Sequence, residues 1–578
     1  MSIEVLRRSV NTGLQFNDSV HPLIQKIYKQ RTISDADELE LGLNNLLTPD
    51  KLMGIGDAVE LLMIALEQQQ RVLVVADFDA DGATSCVVAI NCLKQFGLKQ
   101  IDYVVPNRFE FGYGLTPEIV ELGRLKNPDL IITVDNGISS VAGVECANAA
   151  GIAVLITDHH IAPSHLPAAQ AILNPNQPGC EFPSKCIAGV GVTFYLMLAL
   201  RSHLRSLNWF EKSNLEEPNL ANQLDLVALG TIADVVALDR NNRILVDEGV
   251  KRIRAGKARP GIEALLKVSN REPNRLKASD IGYSLAPRLN AAGRLEDMSV
   301  GIECLLSESE NEAYHYALSL DGINRDRKKI EADMREQAWE ALDEISMKTE
   351  DLPPGICLFD DRWHQGVVGI IASRIKDKFH RPSIAFAQVD GSEELKGSAR
   401  SVKGFHIRDA LDQVATKNPG LINKFGGHAM AAGLSLNKND FEAFDHAFTE
   451  EVGRLLDEDQ LKARVFSDGW VEAKWLNLQV AYLIEEAGPW GQEFPEPLFD
   501  GRFNLVQHRK VGENHLKMML SPTDDPSGTL DAIAFNVEAG HWPDQNSSEI
   551  EIIYRIETNH FQGNISLQLV VEHILSIR

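Results

Sequence analysis

Several features that would define a secreted, membrane-spanning or charge-driven protein are scarce in this chain. Its seven cysteines are an odd number, and pairs such as Cys180 and Cys186 lack the CxxC spacing of a zinc site. Neither a disulfide framework nor a thiolate metal centre therefore organises the fold, and a reducing, cytoplasmic setting is expected. Long apolar runs are missing as well. The longest, VGVTFYLMLAL at 190–200, is shorter than the roughly 20 residues a bilayer span requires. Residues 1–16 contain no apolar core of a secretory signal. Positive charge is short: 57 Lys and Arg stand against 82 Asp and Glu, for a formal charge of −25. That balance excludes a nucleic-acid binder working by bulk attraction, but leaves room for a local basic channel or for cations that neutralise acid clusters. Basic stretches at 251–259, 325–329 and 374–381 are candidates for such a channel, although each also suits a solvated face.

What is present is an ordinary globular composition, 44% hydrophobic and 24% charged, spread over 578 residues. That length exceeds one hydrophobic core and predicts several domains. A polar lead-in covers 1–50. From 71 onward, β-branched strands alternate with helical patterns: RVLVVADFD, a helix over about 83–96, IDYVVP, a helix opened by Thr116 as N-cap with Pro117 behind it, DLIITVDNG, and GIAVLITDHH. This alternation predicts a parallel sheet with helices on both faces, in a domain spanning 51–305. Helical patterns follow at 189–206 and 218–238. A long charged connector helix is expected within 306–350, a second α/β domain within 351–456, and a small β barrel of the OB type within 457–578.

The chemistry concentrates where strands end. VVADFDADG places Asp77, Asp79 and Asp81 at alternate positions before Gly82; VDNG presents Asp135; TDHH presents Asp158, His159 and His160. Neighbouring strands of an open parallel sheet deliver such residues to one crevice at their carboxyl ends. A further acid, Asp234, interrupts the apolar VALGTIADVVAL, and burying it without a partner would cost several kcal/mol. DFDADG imitates half of an EF-hand loop, but the twelfth position is Val88 rather than Glu and a strand precedes it. Taken alone, DxD at a strand end fits a haloacid-dehalogenase-like or response-regulator pocket equally well. The whole series is better explained by two hard cations, Mn²⁺ or Mg²⁺, which neutralise the carboxylates and activate a water for phosphoryl displacement.

DFDADGATS, VDNG, DHH and GTIADVV resemble, in this order, the four motifs of the DHH phosphoesterase family. WHQGVVGIIASRI, GSARSVKGF and FGGHAMAAGLSL resemble its DHH-associated substrate domain. The resemblance implies an exonuclease that degrades single-stranded DNA from 5′ to 3′ with two divalent ions. Asp77 and Asp79 would then hold one metal, Asp81, His159 and Asp234 the other, and Asp135 would bridge them. Asp158 would orient the histidine pair, and His160 would face the phosphate or the bridging carboxylate. A 5′-end pocket would use Arg108, Arg288, Ser398, Arg400 and His428, with arginines suited to bidentate phosphate contact.

A cleft between two lobes, admitting one strand and excluding a duplex, would supply strand choice. Phe503, Phe535 and Trp542 are candidate base-stacking residues in the barrel. The resemblance further implies a monomer that works in recombination and repair with a single-strand-binding protein and a RecQ-type helicase. Two other readings stay open at this point: a DHH phosphodiesterase acting on short oligonucleotides, and a non-catalytic replication scaffold, for which degenerate acids would be expected.

Overall fold

The computed structural model describes residues 3–578 apart from 18, 107–113, 349–351, 458–459, 513, 538–541, 545 and 562. The chain divides into a larger unit, residues 8–324 and 468–578, and a smaller one, residues 1–7 and 325–467.

In the larger unit five parallel strands form a sheet in the order Ile101–Val104, Val72–Ala76, Leu130–Val134, Ala153–Thr157, Ala171–Leu173. The Val72–Ala76 and Leu130–Val134 strands are buried along their whole length. Their uninterrupted apolar runs reflect helices covering both faces. From the Val72–Ala76 strand, the chain first builds outward to one side and then crosses to the other. The switch point falls between the strands that precede Asp77 and Asp135, the place where ligands bind in open α/β sheets.

The helix expected over about 83–96 starts earlier, so Asp79 and Asp81 do not continue the strand. The strand stops at Ala76, and a helix already runs over Ala80–Gln95. Asp79 is its N-cap, accepting from the N–H groups of Asp81 and Gly82, and Asp81 lies in the first turn. Gly82 does not turn the chain. It is helical, and a Cβ there would lie 2.5 Å from the carbonyl oxygen of Asp77, so glycine is what lets the helix abut the strand end.

The helix expected over 218–238 is also shorter. It covers Leu224–Ala233 and ends with Asp234 as its C-cap, because Val235 adopts a left-handed backbone, φ 58°. Thr116 caps the helix Pro117–Arg124 as expected, and Gly189–Ser206 is helical.

Residues 499–577 close a five-stranded barrel. Its strands are antiparallel except for one parallel pair, Leu530–Ala534 with Asn564–Ile577, as in an OB fold. Barrel residues such as Phe499, Phe503 and Tyr554 share one apolar core with the parallel-sheet region. The lead-in joins it through Arg31, whose guanidinium grips the buried Asp468 at 2.6 Å.

The smaller unit holds a mixed five-stranded sheet, including Glu394–Arg400 and Ala431–Asn437, packed with three helices that include Val368–Phe379. The strand Glu4–Arg7 pairs in parallel with Arg464–Ser467. The expected connector is a helix over Glu310–Lys348. No helix among the described residues is long and apolar enough to cross a membrane.

Candidate metal centre

Four chain segments converge at the carboxyl ends of the sheet. Ligand atoms of Asp77, Asp79 and Asp135 lie within 4.8 Å of one another, as do those of Asp81, His159 and Asp234, and those of Asp135, His159 and His160. His159 Nε2 stands 3.2 Å from Asp135 and 3.4 Å from Asp234. The partner that Asp234 was expected to need is therefore the imidazole of His159.

Local structure explains how the acids are held. Asp81 accepts the N–H groups of Gly189 and Val190 at 2.6 and 2.9 Å, so the first turn of the Gly189–Ser206 helix clamps its carboxylate. Asp135 sits in the left-handed region, φ 62°, where Asp is tolerated better than most residues. Asn136 secures that turn by donating to the carbonyls of Val75 and Val134. Gly189 leaves room for Asp135: a Cβ there would come within 2.7 Å of the carboxylate. Asp158 accepts the backbone N–H groups of His159, His160 and Ile138 and meets Nδ1 of His160 at 2.7 Å.

Burial raises the carboxyls of Asp77, Asp135 and Asp234 well above the ordinary aspartate value, and the neighbouring carboxylates add to the effect. Burial and Asp79 push Asp81 up to about 7. Asp158 goes the other way: burial would raise it, but the His160 hydrogen bond and both imidazoles outweigh that and hold it low. A buried set of like charges is stable only when protonated or neutralised by cations. Among the described residues, buried Oδ1 of Asp77 meets no hydrogen-bond partner, as an oxygen reserved for a metal would not. The donor set, mostly hard carboxylate oxygen with imidazole, fits Mn²⁺ or Mg²⁺.

Sequence reasoning missed the supports. Asn290 Oδ1 accepts from the N–H of Ala80 at 2.8 Å, which ties the APRLNAAGR segment to the acid loop. Asn174 and Asn176 donate to the carbonyls of His160 and His159. Asn174 and Asn176 on either side of Pro175, and Asn290 within APRLNAAGR, were the available signal.

The 5′-end candidates fall in separate places. Arg108 lies outside the described residues. In the larger unit Arg288 is held by Asp321 at 2.8 Å and by the carbonyl of Ser284. In the smaller unit Arg400 donates to Ser398 Oγ at 2.9 Å. Both side chains face Gly369 in the first turn of the Val368–Phe379 helix, where a Cβ would meet them at 2.9 and 3.0 Å. His428 follows the strand Lys424–Gly427, which pairs with Ala431–Asn437, whose Ala431 faces Arg400 across the sheet. These three thus share one sheet.

The stacking candidates are corrected in part. Phe503 is 2% exposed and belongs to the barrel core, Trp542 is partly buried beneath Lys510, and only Phe535 is exposed. The basic stretch at 251–259 is largely spent on internal contacts: Lys251 meets Asp247, and Arg259 meets Asp225.

Comparison with known proteins agrees with this architecture. Residues 71–231 match the DHH family, N-terminal domain; residues 353–454 match the DHHA1 domain; residues 467–573 match the RecJ OB domain. The chain is 52% identical over 569 residues to the single-stranded-DNA-specific exonuclease RecJ of Dickeya dadantii, covering 98% of each chain. It is 51% identical over 575 residues to that of Escherichia coli, covering 100% of this chain and 99% of the relative. The crystal structure of RecJ from Thermus thermophilus in complex with Mn²⁺ superposes with a TM-score of 0.79 at 27% identity, covering 99% of this chain and 79% of that one. Its complex with Mg²⁺ gives 0.73 at 25% identity, covering 99% and 78%.

Proposed function

Since the chain belongs to the RecJ family of single-stranded-DNA-specific exonucleases, we propose that it removes nucleotides one at a time from the 5′ end of single-stranded DNA. The convergence of Asp77, Asp79, Asp81, Asp135, His159 and Asp234 from four distant segments supports this reading. Asp77 and Asp79 would hold one divalent ion and Asp81, His159 and Asp234 a second, with Asp135 within reach of both groups. When bound, two such ions activate a water and stabilise the entering and leaving oxygens of an in-line displacement.

The protein's own groups do the rest. Asp158 fixes the His160 ring, whose pKa rises to about 9 despite burial because of that hydrogen bond and of the Asp158, Asp234 and Asp77 charges. The Asp158 hydrogen bond favours the charged form of His160, which would donate a proton or a charged hydrogen bond to phosphate. The helix N-terminus at Val368, together with Ser398 and Arg400, suits the terminal 5′ phosphate, and His428 follows a strand of the same sheet. All seven cysteines are free thiols, in keeping with cytoplasmic work in DNA repair and recombination.

One assay tests the reading: oligonucleotides labelled at either end, single- or double-stranded, with and without Mn²⁺. Prompt release of the 5′ label from single strands only, dependent on the metal and abolished in Asp81→Ala and Asp135→Ala, is expected. Equal attack on duplex, or first release of a 3′ label, would overturn it.

A further inference from the structure

A cavity of about 630 Å³ lies in the larger unit, lined in part by the segment that carries Asp234. Its size falls in the range of about 300–1,000 Å³ typical of ligand sites. Thr231, Ile232, Val235 and Val236 form one wall, so the cavity and the acid cluster share a single stretch of chain.

Two features of its rim are unusual. Val235 is a β-branched residue with φ 58°, and its side chain is 65% exposed; a left-handed β-branched residue is a strained exception that points toward function. Tyr283 is 81% exposed and sits in a π-helical turn, Ile281–Leu285, a distortion that often marks functional sites. The two belong together, because Gly282 packs against Ile232. Deeper in, Trp490 is stacked on Phe494 and donates its indole N–H to Ile484.

The lining also says what the cavity would take. Lys251, Lys277 and Arg555 are each held by a carboxylate, at 2.6, 2.7 and 2.9 Å. The fourth cation of the lining, Arg254, is committed through Nε to the carbonyl of Leu276 at 2.8 Å, and Asp247, Glu485, Glu486 and Glu496 also line the cavity, so the site offers little to a phosphate. It offers apolar and aromatic surface to a flat, uncharged group, and a nucleobase is such a group on single-stranded DNA.

We propose that this cavity is a base-binding subsite, in which one unpaired nucleobase of the bound strand stacks on Tyr283 and rests against Val235. The proposal rests on the single-stranded-DNA reading above. Stacking requires only a π face, so all four bases are accepted. A paired base is not, because its faces and edge are already engaged. The subsite would thus contribute to strand selection from within the larger unit.

The test is a scan with single-stranded oligonucleotides carrying 2-aminopurine at successive positions from the 5′ end, bound to the full-length protein in chelator so that nothing is cut. A fluorescence change of at least about twofold confined to one position is expected, lost in Tyr283→Ala and kept in Tyr283→Phe. An abasic site at that position should weaken wild-type binding several-fold and leave Tyr283→Ala unaffected. A flat profile, or one unchanged by Tyr283→Ala, overturns the proposal. Flat fluorescence in a protein that still releases nucleotides with Mn²⁺ would remove this subsite alone. A positional signal without metal-dependent release would overturn the nuclease reading and keep the subsite.

Discussion

One oxygen of Asp158 lies 2.7 Å from Nδ1 of His160 and accepts the backbone N–H of both histidines as well. A single buried carboxylate thus sets the ring of one histidine and the main chain of the other. Asp158→Asn keeps the shape and removes the charge, so His160 loses its main reason to stay protonated. Metal affinity or turnover should fall by about 10–100-fold, with an unchanged circular dichroism spectrum; Mn²⁺ titration of activity measures it.

Gly189→Ala should act on Asp135 without replacing a ligand. The added methyl would arrive 2.7 Å from that carboxylate and displace it. A shift of that order lowers kcat by about 100-fold, while DNA binding in chelator, measured by anisotropy, should hold.

Acidity gives a signed prediction for the metal-free protein. Asp81 titrates near 7 in the fold against an ordinary 3.8, so its ionisation opposes folding increasingly between those values and fully above them. Chelated wild-type protein should therefore lose melting temperature relative to Asp81→Asn as pH rises from about 4 to 7. His160 adds in the same direction at higher pH: its contribution is complete below 6.5 and lost as pH climbs through about 9. Saturating Mn²⁺ should reverse the order of wild type and variant at pH 7 and above. Scanning calorimetry in chelator and in metal measures both slopes.

Arg288 and Arg400 should separate. Arg288 and Asp321 are both 12% exposed and paired; removing one partner of a buried pair costs about 3–5 kcal/mol. Arg288→Ala should therefore lower the melting temperature by several degrees. Arg400→Ala should melt like wild type yet lose preference for a 5′-phosphorylated over a 5′-hydroxyl strand, read by competition between the two substrates.

The order of the domains and the acids of the centre were legible because parallel-sheet topology carries information along the chain. Apolar strands ending in Asp77, Asp135 and Asp158 can meet only at one edge. The details that escaped depend on contacts between distant segments. Asp79 caps its helix by a local contact with Asp81 and Gly82, but the grip of Asn290 on Ala80 joins segments 210 residues apart and leaves no local sign. Phe503 and Phe535 read alike in sequence, and only closure of the barrel buries the first and exposes the second. Tyr283 gave no signal at all, because its exposure follows from a π-helical turn that no periodicity announces.

The grip of Asn290 on Ala80 spans 210 residues, and this has a bearing on synthesis. A ribosome will have threaded every acid of the centre before the asparagine that holds Ala80, between Asp79 and Asp81, emerges. A polypeptide abandoned in between would carry the ligands without the side chain that receives the Ala80 N–H.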